Sequence, residues 1–331
     1  MNHGKQRNYG ESIRDGFQYL LANYPEVFAI GQGLWSPWYV GNSMGELEKE
    51  FGVARIIDTP VSESAVTGAA VGAALGGYRP IVIHPRLDFM VLAMDPIVNQ
   101  AAKWAHMLGG SQRVPLTVRG IINRGGQQGA QHSQALHSWY AHIPGLRVVM
   151  PATPADARDL LIASVLCDDP VIYIDDRWLY ELSDELPPIT PRKLREQGPI
   201  VRRPGTDATL VAAGYSVQLC LEAAQLLDDQ GLSVSVIDLR VINPLDLSGV
   251  AETIERTGRL CAVDGGWKNC GLAGEVIARV IEQIDLGCLH TNPIRVTLTD
   301  APAPTSGPLE EQYYTSVEDV VSAVRTLVKR S

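Results

Sequence analysis

Short apolar runs alternate with helical stretches along the whole chain, and this alternation constrains the fold more than any other feature of the sequence. The runs lie at 27–30, 55–58, 80–83, 114–120, 146–150 and 171–174, and they are rich in Val and Ile. Most lack a polar residue at every second position, so they suit strands buried on both faces. Such strands belong in a mostly parallel sheet with helices packed on either side. The intervening helices are expected over 9–23, 44–51, 90–107, 133–141 and 156–166. One more begins at Ser62 and Glu63 and runs through GAAVGAALGG, residues 68–77. Side chains this small let a helix approach another backbone closely, in a domain core or at a subunit contact.

The alternation breaks once. Residues 181–206, ELSDELPPITPRKLREQGPIVRRPGT, are rich in proline and charge and lack a sustained apolar period, which reads as an interdomain linker. It resumes with strands at 208–213, 233–238, 259–263 and 294–299 and helices at 216–229, 246–257, 271–284 and 316–329. The expected organisation is one α/β domain over 1–185, a linker over 186–204 and a second α/β domain over 205–331. Two domains also suit 331 residues, at roughly 100–200 residues per domain.

Lys and Arg number 28 against 37 Asp and Glu, a net charge of −9, and no basic run stands out. Binding to nucleic acid or to an anionic membrane is therefore not expected. The five cysteines are scattered, odd in number and without CxxC spacing, which suits reduced thiols in a cytoplasmic protein. The first residues are polar and lack the apolar core of a secretory signal, and no stretch reaches the roughly 20 apolar residues of a membrane span. A cytoplasmic location is the expectation.

The sequence lacks GxxxxGK[ST], a strand-to-helix GxGxxG, HExxH and paired metal-spaced Cys/His ligands. What remains is a set of groups just beyond strand ends, where parallel α/β sheets place their ligands. These are Gln32, Glu63, Asp88 with Phe89, and His132 after a glycine-rich loop. Each has a plainer reading. Glu63 suits a helix N-terminus, His132 a loop histidine bonded to backbone, and Phe89 a core aromatic.

Several segments together resemble one family: DTPVSE (58–63), DFMVLAMDPIVNQAAKW (88–104), GAQHSQALHSWYAHIPGL (129–146) and DDPVIYIDDRWLY (168–180). VIDLRVINPLD, DGGWKNCGLAGEVIARVIEQ and the tail APAPTSGPLEE extend the likeness through the second half. The family is the beta subunit of the thiamine-diphosphate-dependent decarboxylating component of 2-oxo acid dehydrogenase complexes. The resemblance implies a transketolase-like pyrimidine-binding domain followed by a transketolase C-terminal domain. It also implies roles. Glu63 faces N1′ of the aminopyrimidine and, through it, promotes loss of the thiazolium C2 proton, which is acid–base catalysis exerted through a cofactor. Phe89 stacks on the aminopyrimidine, Gln32 lies at the cofactor, and His132 stands near the thiazolium and substrate.

In this family the diphosphate and its divalent metal are held by a GDG…N motif. None occurs here; the nearest string is Asp264-Gly265-Gly266. The chain is thus expected to supply half of a cofactor site. The resemblance assigns the other half, with the divalent metal, to an alpha subunit in an α2β2 heterotetramer. It further implies a potassium-type monovalent cation on backbone carbonyls of Leu116, Val165, Leu166, Asp168 and Asp169, and a lipoyl acyltransferase as a further partner.

Three positions depart from the family pattern. Gln32 and Ile83 stand where members carry acidic residues, and Leu92 stands where some carry glutamine. Gln32 still hydrogen-bonds but cannot carry a proton as a carboxyl does, and Ile83 does neither. His84 and Arg86 bring cationic groups close by. A 2-oxo acid or ketose-like donor fits the resemblance. A transketolase-like or carboligase subunit uncoupled from a lipoyl acyltransferase, and a non-catalytic scaffold, remain alternatives.

Overall fold

The computed structural model describes residues 5–329, so the outermost residues of the two expected domains lie outside the described residues. Two compact units emerge. One combines residues up to Asn123 with Trp139–Gln197, and the other combines Arg124–Ser138 with the chain from Gly198 onward.

The first unit opens with strand β1 (Lys5–Asn8) and helix α1 (Tyr9–Asn23). A capping box fixes the start of α1. The Glu11 amide donates to Asn8 Oδ1 at 2.8 Å, and the Asn8 amide donates to Glu11 Oε2 at 3.0 Å. Then follow β2 (Val27–Gly31), α2 (Leu47–Phe51), β3 (Ile56–Asp58), α3 (Glu63–Leu75), β4 (Arg79–His84), α4 (Leu87–Met90), α5 (Ala102–Met107) and β5 (Thr117–Ile122). After α6 (His137–Ala141), where the chain returns from the second unit, come β6 (Arg147–Val149), α7 (Pro154–Val165), β7 (Val171–Asp176) and β8 (Ser183–Leu186).

Within this unit the strands run β6-β7-β5-β4-β2-β3, each parallel to its neighbours. Val27, Ala29, Ile81, Val82, Val118 and Ile172 are all buried, as strands covered on both faces require. Helix α1 packs on α7, and Gly16 permits the approach: a Cβ there would lie 3.3 Å from the Arg158 carbonyl oxygen.

The second unit contains β9 (Ile200–Arg203), β10 (Ala208–Ala212), α8 (Tyr215–Asp228), β11 (Val234–Asp238), β12 (Val241–Asn243), α9 (Ser248–Thr257), β13 (Leu260–Trp267), α10 (Leu272–Ile281), β14 (Ile294–Leu298), α11 (Gly307–Tyr313) and α12 (Val317–Lys329). Its sheet runs β14-β13-β10-β11-β9, parallel except for the antiparallel edge strand β9.

The structure differs from the sequence reading in several places. The stretch 186–204 is no simple connector, because Ile200–Arg203 forms β9, tied to β11 by an ion pair between Arg202 and Asp238 at 2.8 Å. The segment Arg124–Ser138 clusters with the second unit. The single helix expected over 90–107 is a succession: α4, a 3₁₀ turn, a π-helical stretch over Asp95–Ala101 and α5. Pro96 stands at the start of the π stretch, where its missing N–H interrupts regular α-helical bonding. β5 starts at Thr117 rather than 114, just past Pro115, and of the helix expected over 133–141 only α6 forms. The antiparallel pair β1–β8 was not expected. Among the described residues no helix is long and apolar enough to cross a membrane, and the five cysteines are free thiols.

Candidate active site

Parallel neighbours β3, β2 and β4 deliver their following loops to one edge of the first sheet. Gly31 closes β2 against β4 so tightly that a Cβ would lie 2.4 Å from the Ile83 carbonyl oxygen. The loop beyond it is tethered from β3: Asp58 Oδ1 accepts the Gly33 amide at 2.6 Å and the Leu34 amide at 3.3 Å. These contacts hold Gln32, half-buried, in place.

Glu63 is the first residue of α3 and is only 8% exposed. Gln32, Glu63, Ile83 and His84 line one cleft with Thr59, Ser62 and Val66. The Glu63 side chain lines the cleft, where the carboxyl is open to a ligand. One turn along the helix, Thr67 Oγ1 lies 3.2 Å from His84 Nε2, and both side chains are buried. Burial pushes His84 down to about 4, so the imidazole is neutral at physiological pH.

Phe89 sits half-buried in α4, directly beyond β4. Arg86 caps that turn. With the Asn123 amide turned oxygen-first, it accepts from Arg86 Nε at 3.1 Å. Burial, followed by the charge of Arg177, lowers the Arg86 guanidinium from its ordinary value. Ile83 is buried at the cleft, in place of an acid, while Leu92 is exposed.

His132 falls in the second unit, half-buried in the segment Arg124–Ser138, its amide donating to the Gly129 carbonyl at 3.3 Å. Five residues on, His137 Nε2 lies 2.9 Å from Asp264 Oδ1, with both groups buried. Burial by itself raises Asp264. The His137 imidazole and the Gly266 and Ala273 amides outweigh it and hold the carboxyl below its usual range.

Of the carbonyls assigned by resemblance to a monovalent cation, Leu116 accepts the Val171 amide at 2.9 Å and Val165 accepts Arg79 Nη1 at 3.0 Å. Arg79 also pairs with the Asp168 carboxylate. No group of three or more His, Cys, Asp or Glu suited to a metal ion occurs among the described residues.

The sequence reading did not single out Asp58, Thr67, His137 or the fully buried pair Arg119–Asp175, joined at 2.8 Å. Asp58 was visible as the last residue of its strand. The two pairs are separated by 127 and 56 positions, and only the fold joins them.

Two α/β units with a carboxyl-bearing cleft at a parallel-sheet edge define a transketolase-like subunit. Residues 5–181 match "Transketolase, pyrimidine binding domain" and residues 197–320 match "Transketolase, C-terminal domain". A relative from Rhizobium meliloti (strain 1021), "Pyruvate dehydrogenase E1 component subunit beta", is 37% identical over 317 residues, covering 96% of this chain and 69% of that one. The human mitochondrial protein of that description is 35% identical, covering 95% and 86%. "Acetoin:2,6-dichlorophenolindophenol oxidoreductase subunit beta" of Cupriavidus necator is 40% identical over 332 residues, covering 96% of both chains. A solved structure described as "Split gene transketolase, inactive beta4 tetramer" shares the fold, with TM-score 0.78, 20% identity and 98% coverage of each chain. The chain belongs to the transketolase-like family of beta subunits from thiamine-diphosphate-dependent E1 components of 2-oxo acid dehydrogenases.

Proposed function

We propose that this chain is the beta half of a two-chain enzyme that cleaves a C–C bond next to the carbonyl of a 2-oxo acid or related ketone. The observation that carries this reading is the largely buried Glu63, at the start of its helix, whose carboxyl lines the cleft beside Gln32. A largely buried carboxyl that opens onto a cleft is placed to hydrogen-bond a ligand there, and a ring nitrogen that shares a proton is such a partner.

When bound, thiamine diphosphate supplies a carbon nucleophile for the donor carbonyl. Glu63 holds and moves the proton at pyrimidine N1′. Phe89 offers an aromatic face to the ring, and Gln32 hydrogen-bonds at the cleft without exchanging a proton. His132 donates a proton to, or orients, the substrate. The diphosphate and its divalent metal belong to an alpha subunit, since this chain lacks the motif that holds them. A monovalent cation on the carbonyls of Leu116, Val165, Leu166, Asp168 and Asp169 would share the Val165 oxygen with Arg79.

The alpha partner and self-association into α2β2 are supported by helix α3. Ser64, Ala65, Gly68, Ala69 and Gly72 present an exposed small-residue face, and a Cβ on Gly68 or Gly72 would meet nothing within 4 Å. A second reading, with a 2-hydroxyketone donor, is favoured by the acetoin-named relative, which matches over 96% of both chains. A cytoplasmic location suits the free thiols.

The test is Glu63→Gln in the complex reconstituted with its alpha subunit. Exchange of the thiazolium C2 proton is expected to slow by about 10²–10⁴, the usual loss on removing a positioned acid–base group. Assembly is expected to persist. Equal exchange rates in the two proteins would defeat the assignment.

A further inference from the structure

We propose that the first unit carries a binding site for a nucleoside polyphosphate at the sheet edge opposite the Glu63 cleft. The site is a cavity of about 540 Å³ lined by Arg113, Arg147, Arg192, Lys193 and Arg195, with a floor of Ala163, Leu166 and Cys167. It lies by the start of the parallel strands β5, β6 and β7: Arg113 precedes β5, Arg147 opens β6, and the floor closes the turn from α7 to β7. Glu63 and Gln32 lie beyond, and His84 ends, strands of the same sheet at their other ends. A six-residue strand separates the two edges by about 20 Å at roughly 3.3 Å per residue, so the cavity is no extension of the cofactor cleft.

Its charge is unusual for this protein. Five cations face two carboxylates, Asp168 and Asp169, in a chain whose net charge is −9. The carboxylates are already engaged. Asp169 pairs with Arg147 at 2.8 Å and Arg113 at 3.3 Å, and Asp168 pairs with Arg79 from outside the cavity. Arg192, Lys193 and Arg195 have no ion-pair partner among the described residues, and buried Leu194 pins the turn that displays them. Three exposed cations without an ion-pair partner among the described residues line one cavity, and an anion of several charges complements them. The apolar floor beside them suits a heterocyclic base, and the volume lies within the range of small-molecule pockets. A phosphate chain pairs with the 192–195 cations while the base covers Ala163, Leu166 and Cys167. This site does not rest on Glu63 or the cofactor cleft, although its lining shares Leu166, Asp168 and Asp169 with the proposed monovalent-cation site.

Calorimetric titration of the full chain in 150 mM KCl with ATP, inorganic tripolyphosphate and adenosine tests the proposal. Saturable one-to-one binding of ATP and tripolyphosphate is expected, with ATP tighter through its base and adenosine weakest. The triple substitution Arg192→Gln, Lys193→Gln, Arg195→Gln, in exposed residues, is expected to weaken ATP at least tenfold. In the wild-type chain, ATP is also expected to slow alkylation of half-buried Cys167 but not of exposed Cys270, read by peptide mass spectrometry. The second readout needs no variant. Equal affinity in the triple variant, unprotected Cys167, or no binding at this salt concentration would each overturn the proposal. The last result would leave an acidic protein segment as the occupant.

Discussion

Thr67 Oγ1 and His84 Nε2, 3.2 Å apart, lock helix α3 to the end of β4 one turn beyond Glu63. The contact links the helix that carries the carboxyl to the strand that forms the cleft's other wall. Either group can donate, depending on the imidazole tautomer, and burial keeps His84 neutral by pushing it down to about 4.

That shift predicts a pH dependence. Free histidine titrates near 6.5. As pH falls, the unfolded chain protonates His84 first and the folded chain only near 4. The stabilisation is therefore complete above about pH 6.5, is lost as pH falls towards 4 and levels off below. The full loss is on the order of 3 kcal/mol at 1.36 kcal/mol per unit. Urea unfolding at pH 7 and pH 4.5 is expected to show a smaller pH effect in His84→Gln, which keeps a partner for Thr67 but does not titrate. Identical pH slopes in the two proteins would contradict the assignment.

Helix α3 yields a prediction about assembly. Gly68 and Gly72 each cost a helix interior about 1 kcal/mol relative to alanine, yet neither packs within the chain. Gly72→Leu is expected to leave thermal stability unchanged or slightly higher while abolishing association, measured by sedimentation with and without the alpha subunit. Unchanged sedimentation would remove α3 from the interface.

How much of this was legible in the sequence depended on whether a signal was local. Val27–Gly31, Arg79–His84 and Val171–Asp176 announce themselves because a strand covered on both faces must be apolar throughout. Glu63 and Gln32 were legible because loops after parallel strands share an edge. Ile200–Arg203 was not: an edge strand with arginines at 202 and 203 resembles a charged linker until its partner β11 is known. Asn8 and Glu11 stood at capping-box spacing, and that signal predicts the start of α1 without any tertiary information.

In the second unit, His137 and Asp264 tie the segment that carries His132 to the middle of β13. Asp264 is held below its usual range, so its contribution is present above the ordinary carboxylate pKa and is lost as pH falls through the folded value. Asp264→Asn is expected to cost about 1.5–3 kcal/mol, the worth of hydrogen bonds to a charged group. In a double-mutant cycle with His137→Phe the losses should be less than additive by about 0.5–3 kcal/mol. Strict additivity, read from urea unfolding, would show that the two side chains act separately.

The pair Arg119–Asp175 joins β5 to β7 with neither side chain exposed to solvent. Arg119 Nε donates to Asp175 Oδ1 at 2.9 Å, and Tyr180 donates its hydroxyl to Asp175 Oδ2 at 2.6 Å. Burial alone would lower the guanidinium, but Asp175 outweighs it, and the net shift is upward. Two opposite charges inside a sheet stabilise little relative to apolar packing, because each has been stripped of water. Removing one is another matter. Arg119→Met leaves a buried carboxylate whose only charged partner in the network is gone, and about 3–5 kcal/mol of stability should go with it. Arg119→Met combined with Asp175→Leu removes both charges and is expected to be more stable than Arg119→Met alone. Chemical denaturation of the three proteins decides the matter: a double variant less stable than Arg119→Met would mean that the pair contributes through its hydrogen-bonded shape rather than through charge balance.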